Sequence, residues 1–256
     1  MSDLDKMAAK IHALEVEISK LKAKERPSYS SGVISDFLMM KRLYGLWTLG
    51  ACNPAGTSFY DISGTGATLT ATTVSSSSLD DRIPYAYFDG STDYLYRADT
   101  YGDITGEMTI GCWVYVSDAS AARMLMTKYS GTTNWAYRLF YSQASNVFGF
   151  SVSGTGAAWI SVYSTVAFAA STWYFVVGKY TPSTSLDVYV NGTITSNTTS
   201  IPASIYNSSA NFAIGGDSAG ATPHLGRISL AFLSWRALTD ADINYYYQKS
   251  RPIYGV

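Results

Sequence analysis

The chain has 256 residues, 47% of them apolar and 14% charged, with a formal net charge of −1. That apolar share builds a real core and excludes wholesale disorder, while the near-zero charge leaves no electrostatic footprint for nucleic acid or an anionic membrane. No run approaches the roughly 20 apolar residues of a membrane helix, so membrane insertion is not expected either.

Charge is concentrated at the front. Residues 1–26 hold six Lys/Arg and five Asp/Glu, and Glu107 is the one Glu after Glu25. Surface helices draw heavily on Glu and Lys, so their scarcity argues against helices beyond the first segment. Ser, Thr, Gly and 21 Tyr take their place, the composition of strands and tight turns. The opening Met1-Ser2-Asp3-Leu4-Asp5 has neither the basic nor the apolar region of an export signal, so none is expected.

Within residues 1–26, Leu4, Met7, Ile11, Leu14, Ile18 and Leu21 alternate spacings of three and four, an a/d heptad seam. Lys10 at g precedes Glu15 at e, and Glu17 at g precedes Lys22 at e. In a parallel coiled coil these positions meet across neighbouring chains, and both pairs are opposite in sign. Ile at a with Leu at d is compatible with a dimer. Lys10-Ile11-x-x-Leu14-Glu15 resembles a trimer-favouring pattern, with Lys where Arg is usual, which weakens the reach to the carboxylate. A homotrimer is therefore expected ahead of a dimer, and an amphipathic helix packed on its own domain is the plainer alternative. Each buried Ile or Leu contributes about 1.5–3 kcal/mol, so three heptads are marginal without help from the bodies they join.

Pro27 ends this helix, because the residue before a proline is pushed out of the helical region. Residues 27–42 read as a neck. Ile34, Phe37, Leu38 and Leu43 fall at helix-like spacing, predicting a second short helix or the first piece of the next domain.

From 43 to 256 short β runs alternate with turn punctuation: Met108–Val116, Asn134–Ser142, Val147–Ser153, Ala158–Ser164, Trp173–Tyr180, Leu186–Val190 and Asn211–Ile214. Alternation is clearest where Trp135, Tyr137, Leu139 and Tyr141 are set against Ala136, Arg138 and Phe140. Asn191-Gly192 is a hairpin turn signal. Many short strands of this kind imply two packed antiparallel sheets. Thr239 with Asp242 three residues later reads as a helix N-cap with its capping-box partner, predicting one short C-terminal helix. The SGTGA strings at 63–67 and 153–157 are Gly-rich turns, lacking the Lys of a phosphate loop.

Tyr60–Gly66, Phe88–Leu95, Met108–Val116, Trp173–Val177 and Leu186–Gly192 follow one another along the chain, and their order resembles the concanavalin A-like, laminin G-type domain family. Tyr60-Asp61-Ile62-Ser63-Gly64-Thr65-Gly66 is similar to its early D-x-S-G-x-G turn. Phe88-Asp89-Gly90-Ser91-Thr92-Asp93-Tyr94-Leu95 is similar to F-x-G-x-x-D-Y-L, and Met108–Val116 to F-T-I-S-x-W-V. Trp173-Tyr174-Phe175-Val176-Val177 resembles W-Y-H-V-A, and Leu186–Gly192 resembles L-x-L-Y-V-D-G. The close is Ile214-Gly215-Gly216, Gly226-Arg227-Ile228 and Arg236-Ala237-Leu238-Thr239. Each motif is weak alone; their collinear order over about 43–248 is fairly specific. The resemblance implies an all-β concanavalin A-like sandwich (jelly roll) behind the coiled-coil helix, with Trp113 and Trp173 in the core.

Chemistry is sparse. Glycoside hydrolysis needs two carboxylates about 5–5.5 Å or 6.5–9.5 Å apart, and the Glu-x-Asp-x-Glu strand of glucan-hydrolysing members is absent. A Ser-His-Asp triad would have to use His224, which reads as a surface residue in a Pro-His loop, and no Gly-x-Ser-x-Gly elbow is present. No enzyme is expected. Calcium sites occur in some members of the family, and Asp61, Asp89, Asp93 and Asp217 are candidates by position. Ser229 and Asn191 stand where the family carries acidic residues, so the expectation is no cofactor and no metal, with Ca²⁺ the open alternative. Cys52 and Cys112 read as reduced, buried thiols. Asn191, Asn197 and Asn207 open Asn-x-Ser/Thr triplets that mean little without a secretory signal. Trp135, Tyr137, Trp159 and Tyr163 fall on middle strands, where one sheet is concave in the family; they are the candidate sugar-stacking residues, with a purely structural role the plainer alternative for each.

These readings converge on an oligomeric virion protein of the bacteriophage type, a capsid decoration or a head or tail fibre. Its partners would be copies of itself, capsid or tail proteins, and a cell-surface glycan. The alternative is an extracellular or cell-surface carbohydrate-binding or adhesion module; a glycoside hydrolase is the remote third. The virion reading rests on analogy of architecture.

Overall fold

The computed structural model describes residues 31–40, 43–79, 83–118 and 120–256. The coiled coil expected over 1–26, with its seam residues Leu4, Met7, Ile11, Leu14, Ile18 and Leu21 and its flanking Lys10, Glu15, Glu17 and Lys22, lies outside the described residues. In the neck, helix α1 covers Ser31–Leu38, and strand β1 opens the sandwich at Leu43–Trp47.

Two antiparallel sheets follow. The first consists of β14 (Thr193–Asn197), β13 (Ser185–Val190), β12 (Thr172–Thr181), β7 (Met108–Val116), β16 (Leu225–Ser234), β5 (Ile83–Asp89) and β4 (Ser75–Leu79) in that order, with β1 also on β16. The second runs β11 (Ile160–Ala167), β10 (Val147–Val152), β9 (Trp135–Ser142), β8 (Arg123–Tyr129), β15 (Phe212–Ile214), β6 (Leu95–Arg97), β3 (Leu69–Ala71) and β2 (Ser58–Phe59). Helix α2 (Asp240–Tyr254) closes the chain. None of the described helices is long and apolar enough to cross a membrane.

Two buried layers explain the near-continuous apolar runs of β7 and β12. Cys112, Val114, Val116, Tyr174, Val176 and Tyr180 meet Leu139, Tyr141, Phe148 and Phe150 between the sheets. The alternate residues Trp113, Phe175, Val177 and Phe232 face outward and are covered by Phe37 of α1 and by Ile243, Tyr246, Tyr247 and Tyr254 of α2. A strand with both faces buried loses its polar alternation. Trp113 and Trp173 are therefore buried, but beneath α2 rather than between the sheets. Trp113 stacks on Tyr254 with ring centroids 4.0 Å apart and donates its indole N–H to Ser250 Oγ at 2.9 Å.

The capping box of α2 forms as the sequence predicts: Thr239 Oγ1 accepts from Asp242 N, and the Asp242 side chain accepts from Thr239 N. Gly255, at φ 72°, ends the helix in the left-handed region. Asn191 and Gly192 both have positive φ, 49° and 84°, the pair that a two-residue type I′ hairpin requires.

Two expectations about single residues are corrected. His224 is not at the surface: it is fully buried, its ring edge-on to Phe88 and Tyr141 at 5.9 Å from each. The Pro223-His224 dipeptide leads straight into β16, so the side chain falls between the sheets. Cys52 and Cys112 are both free, yet only Cys112 is buried; Cys52 is partly exposed at a bridge to Phe59.

Candidate functional site

Helices α1 and α2 cover the outer side of the first sheet, and among the described residues no helix covers the outer side of the second over β9, β10 and β11. Strand register builds it row by row. Tyr163 on β11 pairs with Gly149 on β10, which pairs with Phe140 on β9; the neighbouring row runs Ser161, Ser151, Arg138. Gly149 is required there: a Cβ would stand 2.6 Å from Cζ of the Phe140 ring lying across it.

Trp135 and Trp159 complete the row. Their rings are parallel within 3° at a centroid separation of 5.0 Å. The second SGTGA turn brings them together, since Gly156 O accepts from both Asn134 N at 2.7 Å and Trp135 N at 3.1 Å. A register shift between Lys128 and Tyr129 takes Trp135 out of phase with Tyr137. The Arg138 guanidinium carbon lies 4.6 Å from the centroids of both Trp159 and Phe140. Tyr163 meets Phe140 edge-on at 5.9 Å and is 48% exposed. The surface is therefore a run of Trp135, Trp159, Arg138 and Tyr163, with Phe140 buried beneath Arg138 and Tyr163 as its floor. Tyr129 braces Trp159 edge-on from the side.

Of the four residues singled out in the sequence, the structure brings three together and sends one elsewhere. Tyr137 is fully buried between the sheets and donates its hydroxyl to Gly102 O at 3.0 Å. It belongs to the core and cannot meet a ligand. Arg138 and Phe140 were not singled out. The available signal was their shared phase in Trp135–Ser142, opposite to Tyr137 and Leu139.

The carboxylates proposed as calcium ligands are occupied by their own turns. Asp61 accepts from Leu46 N at 3.0 Å, Ser63 Oγ at 2.7 Å, Thr65 N at 3.1 Å and Ala67 N at 3.2 Å. Burial pushes this carboxyl up, but the hydrogen bonds from Leu46, Ser63 and Ala67 outweigh it and hold it below the ordinary value. Asp89 caps the amides of Ser91 and Thr92, Asp93 accepts from Asp89 N and from the Thr73 hydroxyl, and Asp217 accepts from Ala219 N and Ala221 N. Among the described residues no cluster of three or more His, Cys, Asp or Glu could hold a metal ion. Glu107 forms an ion pair with Arg236. An open depression lined by Cys52, Asn53, Thr57, Thr72 and Thr73 lies at the β2–β3 end, and its lining carries no aromatic or charged side chain.

The family profile described as the Concanavalin A-like lectin/glucanases superfamily matches residues 89–244. The chain belongs to that superfamily. No curated protein matches it in sequence. Solved structures similar to it include the botulinum neurotoxin type G receptor binding domain (TM-score 0.61, 12% identity, 81% of this chain and 51% of that one). A second is the botulinum neurotoxin serotype D ligand binding domain in complex with N-acetylneuraminic acid (TM-score 0.62, 12% identity, 85% and 52%). A third is the binding domain of Paraclostridial Mosquitocidal Protein 1 (TM-score 0.61, 13% identity, 80% and 52%). The chain spans about half the length of these structures, and at such identity the likeness is one of fold. The superfamily's lectin-like sandwich is thus the scaffold that carries these aromatic side chains.

Proposed function

We propose that this chain is a non-catalytic glycan-binding module whose binding face is the outer side of β9–β11. The observation that carries this reading is the run of Trp135, Trp159, Arg138 and Tyr163, floored by the buried Phe140, on the sheet face that no described helix covers. Aromatic rings at an aqueous surface present an apolar body and a polar edge, the combination that saccharides, with their C–H faces and hydroxyl rims, can use. A lectin-like fold, and receptor- or ligand-binding neighbours built on it, support the same reading by analogy. The carboxylates of Asp61, Asp89, Asp93 and Asp217 serve turns, which favours binding over hydrolysis.

The heptads at 1–26 add the rest of the proposal: a parallel homotrimer that presents three such faces, as a virion decoration or fibre protein does when it attaches to a cell surface. Linked weak sites gain on the order of 10²–10⁴ in apparent affinity without any new contact. A cell-surface adhesion module would use the same arrangement. A saccharide array probed with the full chain and with Trp159→Ala tests the binding function: retention of the parent on at least one glycan, lost in the variant, supports it. Parent and variant binding alike would refute the assignment of the face.

A further inference from the structure

The polar groups on this face do not balance. Arg138 Nε reaches Ser151 Oγ at 3.4 Å, and that is the one hydrogen bond the guanidinium makes among the described residues. No described carboxylate lies within ion-pair distance of it, in contrast to Lys128, Lys179 and Arg236, each of which has an Asp or Glu partner. The Trp159 indole N–H and the Tyr163 hydroxyl likewise have no protein acceptor among those residues, whereas Trp135 donates its own N–H to Gly131 O at 2.9 Å. The face therefore offers a cluster of donors and a positive charge, with no acceptor of matching charge.

The cation is also held in place. Its plane is confined by the rings of Trp159 and Phe140, and Ser151, itself bonded to Ser161 at 2.8 Å, anchors its stem side. Burial disfavours the charge while the Tyr129 and Tyr163 hydroxyls favour it. An arginine nonetheless stays protonated in a protein, and cation–π contact offsets part of the lost hydration. A fixed, partly desolvated guanidinium with its terminal N–H groups free is a ready fork for an oxyanion.

We infer that the ligand of this face is an anionic saccharide whose acidic group is bound by Arg138 while its ring lies along Trp159 and Tyr163. This rests on the glycan-binding reading above and narrows it to a substrate class. Carboxylate and sulfate share the chemistry the fork recognises.

Affinity electrophoresis of the full chain in gels containing polygalacturonate, dextran sulfate or uncharged dextran tests the inference. Retardation is expected in at least one of the anionic gels and not in dextran, weakening as salt is raised. Retardation confined to polygalacturonate identifies a carboxylate; retardation by dextran sulfate as well identifies any oxyanion. Arg138→Gln is expected to bind about tenfold more weakly, and Arg138→Lys, which keeps the charge and loses the fork, to fall between. Thermal unfolding of both variants checks that they fold, and if Arg138→Gln does not, the lysine variant and the salt dependence of the parent carry the comparison. Equal retardation in dextran, insensitive to salt and to Arg138, overturns the inference and leaves the glycan reading standing. No retardation by any saccharide, charged or neutral, removes both.

Discussion

Trp135 and Trp159 lie 24 positions apart in sequence and stack within 3° of parallel, because Gly156 O ties the turn before one to the start of the other. Their stack is the fixed end of the binding run, with Arg138 against Trp159 and Tyr163 at the exposed end. An aromatic contact of this kind contributes about 0.5–1.5 kcal/mol beyond its area. Trp159→Ala should therefore weaken saccharide binding several-fold or more, and Tyr163→Ala should weaken it at little cost to folding. Isothermal titration alongside thermal unfolding separates the two effects; a Tyr163→Ala variant with unaltered affinity would move the site away from β11.

Tyr137 tests the division between core and face. Its hydroxyl satisfies Gly102 O inside the sandwich, so Tyr137→Phe should cost about 1–3 kcal/mol of stability and leave saccharide affinity untouched. Denaturant titration reads the first and calorimetry the second. Loss of affinity in a folded Tyr137→Phe would contradict its placement.

Lys128 is a charge without water. Its ammonium is buried against Asp103 at 2.8 Å and Asp99 at 3.0 Å, and it donates to Ala210 O at 2.8 Å. Lys128→Met leaves Asp103 and Asp99 without their cation, but their side chains are 27% and 42% exposed and water compensates them in part, so the fold should lose about 1–3 kcal/mol. Chemical denaturation measures this. Restoration of stability by the added Asp103→Leu change would confirm that the stranded carboxylate is the cause.

His224 sets an acid limit on stability. Burial pulls its pKa down to about 3, and the Tyr115 and Arg227 backbones lie near the ring without meeting hydrogen-bond geometry at either nitrogen. The unfolded chain binds the proton first, near pH 6.5, so stability is complete above that value and falls as the pH drops toward the folded-state value. Between pH 7 and 4.5 the loss from this one group is about 3 kcal/mol. His224→Phe should flatten the fall of the unfolding midpoint over this window relative to the parent. An unchanged slope would mean that other groups carry the acid sensitivity.

The β class, the Asn191-Gly192 hairpin and the Thr239–Asp242 cap were legible because each rests on local chemistry: turn residues, period-two runs and a side chain within reach of its own amide. The apolar runs also placed β7, β9, β10, β12, β13 and β15 within a residue of their ends. What local patterns could not show was which face a residue takes. Trp135 and Tyr137 share a phase in sequence and separate in the fold, because a register shift against β8 turns one outward. His224 reads as polar and exposed, yet its side chain falls inward at the start of β16. The calcium candidates look alike until their partners are seen, and each serves backbone amides from its own turn. Arg138 is legible in the sequence only as one phase of an alternating strand; its role appears when Trp159, from the approach to another strand, closes over it.

Saccharide contact with the outer face of β9–β11 is reported directly by the indole N–H resonances of the six tryptophans. Titrating polygalacturonate oligomers into the ¹⁵N-labelled chain should shift the Trp159 signal, and with it that of Trp135. Trp47, bonded to Ala67 O at 2.8 Å, and Trp113, bonded to Ser250, should stay where they are. A static Trp159 beside a moving Trp235, or shifts confined to the depression around Cys52 and Thr72, would contradict the account.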